Sequence, residues 1–113
     1  MPRSIEDTSI SETHTALAAN AAEAADLLKA MANPNRLMIL CVLAAGEQSV
    51  NALNQFVPLS QSALSQHLAA LRKADLVSTR RESQVIYYNL VGDKPHAILA
   101  VLKQLYCPEM SSL

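Results

Sequence analysis

PLSQSALSQHLAALRKADLV, residues Pro58 to Val77, is the stretch on which the fold turns. Ser60 predicts a helix start, because a serine hydroxyl can accept one of the unpaired backbone N–H groups of a first turn. Leu64, Leu68 and Leu71 then recur at i, i+4 and i+7, an apolar stripe along one side of a helix. Gln61, Ser62, Ser65 and Gln66 fall on the other side, short uncharged side chains that can both donate and accept hydrogen bonds. Arg72 and Lys73 end the helix, where cations complement its dipole. A short apolar helix is expected before it, Asn51 to Phe56, with Ala52, Leu53 and Phe56 inward and Val57, Pro58 and Leu59 forming the turn. Two such helices make a helix-turn-helix, whose second member can lie in a DNA major groove and offer polar side chains to base edges. Taken alone, the segment also fits an ordinary helical hairpin with a solvated polar face.

The residues that follow shift the balance. VSTRRE (Val77–Glu82) and VIYYNL (Val85–Leu90) are strand-like runs joined by Ser83-Gln84. Two residues between such runs predict a hairpin, here without the Gly or Asn that tight hairpins favour. Arg80 and Arg81 lie on the first arm, with Gln84 at the tip. A helix-turn-helix followed by a basic hairpin predicts a winged helix-turn-helix, mainly α with a β-hairpin wing, of five helices and two strands.

At 113 residues, half of them apolar, the chain is expected to form one domain with a modest core. It shows no 18-residue apolar run and no signal-peptide pattern, so a cytoplasmic protein without membrane contact is expected. The net charge of −1 does not mark a nucleic-acid binder, but its distribution is uneven. Residues 1–28 carry Glu6, Asp7, Glu12, Glu23 and Asp26 against Arg3, or −4, whereas residues 60–81 carry Arg72, Lys73, Arg80 and Arg81 against Asp75, or +3. Doubled in a dimer, that basic face would give a phosphate footprint. No enzyme is expected: a thiol oxidoreductase would need Cys-x-x-Cys or a Cys–His pair on a βαβ scaffold. A protein-interaction module without DNA binding is the other class, and binding to duplex DNA separates the two.

Residues 1–8 are polar and expected to be a disordered tail. Ser9 to Glu12 has the spacing of a capping box, so a helix is expected from near Ile10 to about Met31. Leu17, Ala21, Ala24, Leu28 and Met31 repeat at spacings of four and three, a seam of the kind that pairs helices, which suggests a dimer interface, with packing on its own domain alone as the alternative. Asn33-Pro34 stops that helix and starts another. Pro34 to Ala45 is apolar on nearly every face, as expected for a central core helix, with Cys41 in its middle and Gly46 at its end. After the hairpin, Gly92-Asp93 breaks the strand, and Pro95 to about Tyr106 puts Ile98, Val101, Leu102 and Leu105 on one face. Cys107 closes that helix ahead of Pro108. The winged domain thus covers residues 9–107, and 108–113 form a C-terminal tail.

Three motifs in order, MANPNRLMILCVL (Met31–Leu43), LSQSALSQHLAALRKADLV (Leu59–Val77) and RRESQVIYYNL (Arg80–Leu90), resemble the ArsR/SmtB family of bacterial transcriptional regulators. With the flanking helices the resemblance covers roughly Thr13 to Cys107. Ser83 departs from the family pattern, whose wing turn often carries Gly. The resemblance implies homodimers paired through their first and last helices, which repress by binding a palindromic operator and release it when an inducer binds. The candidates for DNA contact are Gln61, Ser62, Ser65, Gln66 and His67 near the groove, with Arg80 and Arg81 on the backbone through the wing. His67, beside Leu68, equally suits a packed imidazole.

The two cysteines, Cys41 and Cys107, stand 66 positions apart, one on the core helix and one at the end of the last helix. A helical Cys is commonly a small core hydrophobe. A cytoplasmic setting argues against a permanent disulfide, while the helix-end position of Cys107 favours exposure and attack. Arsenic and lead/cadmium sensors of the family carry cysteine ligands where this chain has VNALNQFV. Zinc sensors use Asp and His pairs on the last helix, where Asp93 and His96 here lack a following His-x-x-His or His-x-x-Glu pair. Neither a metal site nor a cofactor is expected. By position, Cys41 and Cys107 resemble the thiol pair of the family's dithiol subgroup, the sulfide- and persulfide-responsive repressors of SqrR/BigR type. That resemblance implies that a persulfide donor transfers sulfur to one thiolate and the second attacks it to form a polysulfide bridge. The bridged dimer then loses operator affinity and sulfide-response genes are derepressed. Direct peroxide or disulfide sensing, which needs sulfurs close enough to bond, stays open beside it, as does metal sensing.

Overall fold

Asn33 and Ser60 each start a helix, and between them they frame the domain. The computed structural model describes residues 3–107. Helix α1 spans Arg3–Met31 and α2 spans Pro34–Ala45. A short strand β1, Gln48–Ser49, leads into α3, Val50–Phe56, and α4 covers Gln61–Lys73. The strands β2 (Val77–Glu82) and β3 (Val85–Leu90) form the hairpin, and α5 (Asp93–Tyr106) closes the domain. The backbone N–H groups of Asn35 and Arg36 donate to Asn33 Oδ1 at 2.9 and 3.1 Å, and that of Ala63 donates to Ser60 Oγ at 3.2 Å. Each cap satisfies donors that the first turn of a helix leaves unpaired.

The leucine stripe of α4 is buried as its spacing requires. Leu64, Leu68 and Leu71 pack with Ile39, Leu40 and Leu43 of α2, Leu53 of α3 and Leu99 of α5. Each such side chain removed from water stabilises the fold by roughly 1.5–3 kcal/mol. A Schellman turn ends α4: the Leu76 N–H donates to the Leu71 carbonyl at 2.9 Å and the Asp75 N–H to the Arg72 carbonyl at 3.0 Å. The buried pair Leu71 and Leu76 accompanies it, and Asp75 takes the left-handed conformation, φ 60°. In the hairpin, Glu82 pairs with Val85 across Ser83-Gln84. Ser83 has φ 57°, so the missing Gly is met by a serine held in the left-handed region.

The structure differs from the sequence expectations at several points. The sheet has three strands, ordered β1-β3-β2, because Gln48 and Ser49 pair with Tyr88 and Tyr87 of β3. Two residues are too few to show an alternating pattern. Helix α1 begins at Arg3 rather than near Ile10, since no Pro or Gly stands between Arg3 and Ser9 to stop it. Phe56, expected inward, is 61 % exposed, because Leu53 and the following Val57 take the inner side of α3. Met31, assigned to the seam of α1, is buried in the domain, whereas Leu17 and Leu28 are 60 % and 54 % exposed. Helix α2 is not covered all round: Met38 and Cys41 reach solvent. The expected tail at 108–113 lies outside the described residues. No single helix among the described residues is long and apolar enough to cross a membrane.

Replacing Asp75 by Gly is expected to raise the unfolding free energy by about 0.5–1 kcal/mol, because glycine occupies the left-handed end of a helix without a Cβ clash. Urea denaturation of the two proteins measures it, and an unchanged or lower value would show that Asp75 bears no strain.

Candidate functional site

Burial of three leucines sets the rotation of α4 and leaves its other face in water. Gln61, Ser62, Ser65 and Gln66 are all exposed on that face. The turn in front of them is held by Asn54, whose Nδ2 donates to the carbonyls of Leu59 at 2.8 Å and Val57 at 3.3 Å. His67 is half-buried and turned toward α2, where Arg36 Nε donates to its Nδ1 at 3.2 Å. Arg36 also reaches the carbonyl of Ala30 at 3.4 Å. Of the two environments open to His67, the structure shows the packed one, a strut between α4 and α2. The signal for Asn54 was an amide side chain just ahead of a Pro-containing turn; nothing local pairs Arg36 with a histidine 31 positions away.

The wing separates its two arginines. Successive residues of a strand point to opposite faces, so Arg80 and Arg81 cannot act side by side. Arg80 shares a face with Glu82, Tyr87 and Asn89 and is paired there. Its Nε and Nη2 donate to Glu47 at 3.0 and 2.6 Å, its Nη1 donates to Glu82 at 2.7 Å, and its guanidinium lies 4.6 Å from the Tyr87 ring centre. Asn89 Nδ2 adds a bond to Glu47 at 2.8 Å. The hydrogen bonds from Arg80, then Asn89, hold the Glu47 carboxyl down at about 2, and both carboxylates push Arg80 further up. Arg80 is therefore not a free cation on the wing: two carboxylates face its one charge. Arg81 is exposed and has no side-chain partner among the described residues. Glu47 escaped notice in the sequence because only the pairing of β1 with β3 brings it to the hairpin.

The third constellation is formed where α2 packs on α5. Cys41, Ala44 and Ala45 face His96, Leu99 and Lys103 across a cleft of about 190 Å³. Both cysteines are unbridged and exposed as residues. The Cys107 N–H donates to the Lys103 carbonyl at 2.7 Å, which places Cys107 one turn beyond Lys103. Partial sheltering from water pushes the Cys41 thiol up; the Lys103 ammonium pulls it down, and the nearby Cys107 thiolate pushes it up again. The charge of Cys107 thus acts on the Cys41 thiol although 66 positions separate them in sequence. Among the described residues, no three His, Cys, Asp or Glu side chains converge as a metal cage would require.

Comparison with known proteins adds the following. The model of the bacterial regulatory proteins of the arsR family matches residues 33–79, from the α2 cap through α4 into β2. The transcriptional activator HlyU of Vibrio cholerae is 52 % identical over 88 residues, which are 78 % of this chain and 82 % of that protein. The biofilm growth-associated repressor of Agrobacterium fabrum is 42 % identical over 98 residues, 87 % of this chain and 84 % of that one. Among solved structures, the transcriptional repressor BigR from Xylella fastidiosa superposes with a TM-score of 0.79 at 38 % identity, covering 82 % of this chain and 95 % of that one.

The Glu47 carboxyl also makes a pH prediction. Its folded value of about 2 lies below the ordinary 4.5, so its contribution is complete above about 4.5 and is lost as pH falls toward 2. Thermal melts between pH 5 and pH 2 are expected to fall less steeply for Glu47→Gln than for the parent protein. Parallel curves would show that the Arg80 cluster does not couple to folding.

Proposed function

The chain belongs to the arsR family of bacterial regulatory proteins, and on that footing we propose that it is a repressor released from operator DNA when reactive sulfur species bridge Cys41 and Cys107. Regulators of this family bind operator DNA and are typically dimers. Dimerisation of this chain through α1 and α5 is supported by the apolar side chains those helices leave in water. Leu17 and Leu28 on the first and Val101, Leu105 and Tyr106 on the last are each more than half exposed. Apolar side chains left exposed on two helices suit burial across a two-fold axis. Such a dimer would set its two recognition helices about 34 Å apart and call for a palindromic operator. Gln61, Ser62, Ser65 and Gln66 would read base edges, and Arg81 would hold a phosphate.

The observation that supports the sensing proposal is that Cys41 lies on the face of α2 turned to α5, the helix that Cys107 ends, so that the charge of Cys107 acts on the Cys41 thiol. Helix α2 is tied to α4 by the shared leucine core and by the Arg36–His67 bond, while α5 belongs to the proposed dimer interface. A covalent bridge between α2 and α5 therefore alters how each recognition helix is carried relative to its partner. The chemistry balances without an external oxidant. Each thiolate takes the outer sulfur of a persulfide, R–S–SH, and releases RS⁻. The outer sulfur of one cysteine persulfide then attacks the inner sulfur of the other, expelling HS⁻ and leaving a trisulfide. A coupling of about 1–3 kcal/mol between bridge and DNA corresponds to a roughly 5- to 150-fold loss of affinity.

Two measurements test this function. Treatment of the reduced protein with a persulfide donor should lower its affinity for the promoter fragment of its own gene at least ~5-fold. Cys41→Ser and Cys107→Ser should bind like the parent and not release, with mass spectrometry showing the joined peptides only in the parent. Normal release in either variant removes the thiol pair from the switch, and an equal response to peroxide through a direct disulfide makes the protein a general thiol-redox repressor. In the salt dependence of DNA binding, Arg81→Ala should lower the slope by about 2 for a dimer, at roughly 0.9 per phosphate. Arg80→Ala should change it little; the reverse ranking would show that DNA strips Arg80 from Glu47.

A further inference from the structure

The cleft between α2 and α5 holds features that bridge formation alone does not use. Lys103 lines it and makes no ion pair among the described residues, although Glu47, Glu82 and Glu23 each hold a cation elsewhere. His96 lies seven residues before Lys103, so the two stand about 10 Å apart along α5. Ala44, Ala45 and Ala100 form apolar walls, and their small side chains are what leaves the space open. A volume of about 190 Å³ has room for roughly six waters, the scale of an amino-acid-sized molecule and not of a peptide or a protein. Cys41 opens onto this space.

We propose that the cleft is a binding site for a small organic persulfide bearing a carboxylate, in which Lys103 pairs with the carboxylate and Cys41 receives the outer sulfur. The proposal rests on the persulfide function above and names the class of donor that site takes. The Lys103 ammonium beside Cys41 attracts an anion to the thiol, and because Lys103 is exposed the attraction is that of a surface ion pair. The carboxylate is the part of a cysteine-type persulfide that a cation can hold while the –S–SH end reaches the thiol. In the step itself the Cys41 thiolate supplies the electron pair of the new S–S bond. The donor's own S–S bond breaks, its pair leaves on RS⁻, and RS⁻ takes a proton from water. The products are Cys41–S–SH and the thiol RSH, with no net oxidant consumed. Lys103 is here a substrate-binding residue, and its charge also favours the Cys41 thiolate whichever donor arrives.

A matched pair of donors separates these two roles. The full-length Cys107→Ser protein keeps the transferred sulfur on Cys41, where intact-protein mass spectrometry can count it against time. N-acetylcysteine persulfide carries the carboxylate, and N-acetylcysteine amide persulfide is the same molecule without the charge. The acid is expected to react about 5-fold faster than the amide. Adding Lys103→Met should bring the ratio close to 1, and Lys103→Arg should keep it. A ratio of 1 with Lys103 present, or a ratio that survives Lys103→Met, overturns carboxylate recognition while leaving the persulfide switch intact. If neither donor adds sulfur to Cys41, the sensing function falls together with this inference.

Discussion

Burial of Leu64, Leu68 and Leu71 against α2 is the constraint on which the rest of the structure depends. A helix with one apolar stripe can be rotated in only one way once that stripe is out of water. The rotation decides at once which residues of α4 face outward and which helix carries it. Helix α2 is consequently the hub: it meets α4 through leucines and His67, and α5 through the face that bears Cys41. The face of α2 that bears Cys41 and the polar surface of α4 are joined by about one helix diameter of packed side chains. Interiors packed to this density transmit displacement rather than absorb it.

Charge on the wing is governed by a different rule. The strand pleat gives Arg80 and Arg81 separate fates, although they are neighbours in sequence. Arg80 is drawn into a cluster with Glu47, Glu82, Asn89 and Tyr87 beside the hairpin, and three of its five N–H donors are used on carboxylates there. Counting basic residues on the hairpin overstates what it offers a polyanion, because Glu47 and Glu82 cancel more than the charge of Arg80. The exposed polar face of α4 and, on the hairpin, Arg81, which has no side-chain partner among the described residues, are what remain.

How much of this was legible in the sequence follows from the range of each interaction. The helices and the hairpin rest on local periodicity and turn chemistry, and the limits of Pro34–Ala45, Val77–Glu82 and Val85–Leu90 coincide with those the pattern implied. The polar face of α4 was legible for the same reason, as the complement of its leucines. Contacts between remote positions were not. Glu47 meets Arg80 across 33 residues and Arg36 meets His67 across 31, and no local signal encodes either pairing. Phe56 shows the limit within a single short helix: hydrophobicity alone could not tell which of its apolar residues would be left in water. The facing of Cys41 toward His96 and Lys103 is likewise a product of how α2 and α5 pack.

The long first helix has a consequence for the cell. All residues from 10 to 23 of α1 lie exposed to solvent, and an isolated helical stretch of this length is marginal in water. In the proposed dimer its order is supplied by the second chain, so part of the folding free energy is paid in as association. Stability then obeys mass action and rises with protein concentration. In the proposed dimer, protein abundance would thus be an input of its own: dilution during growth would loosen the first helices.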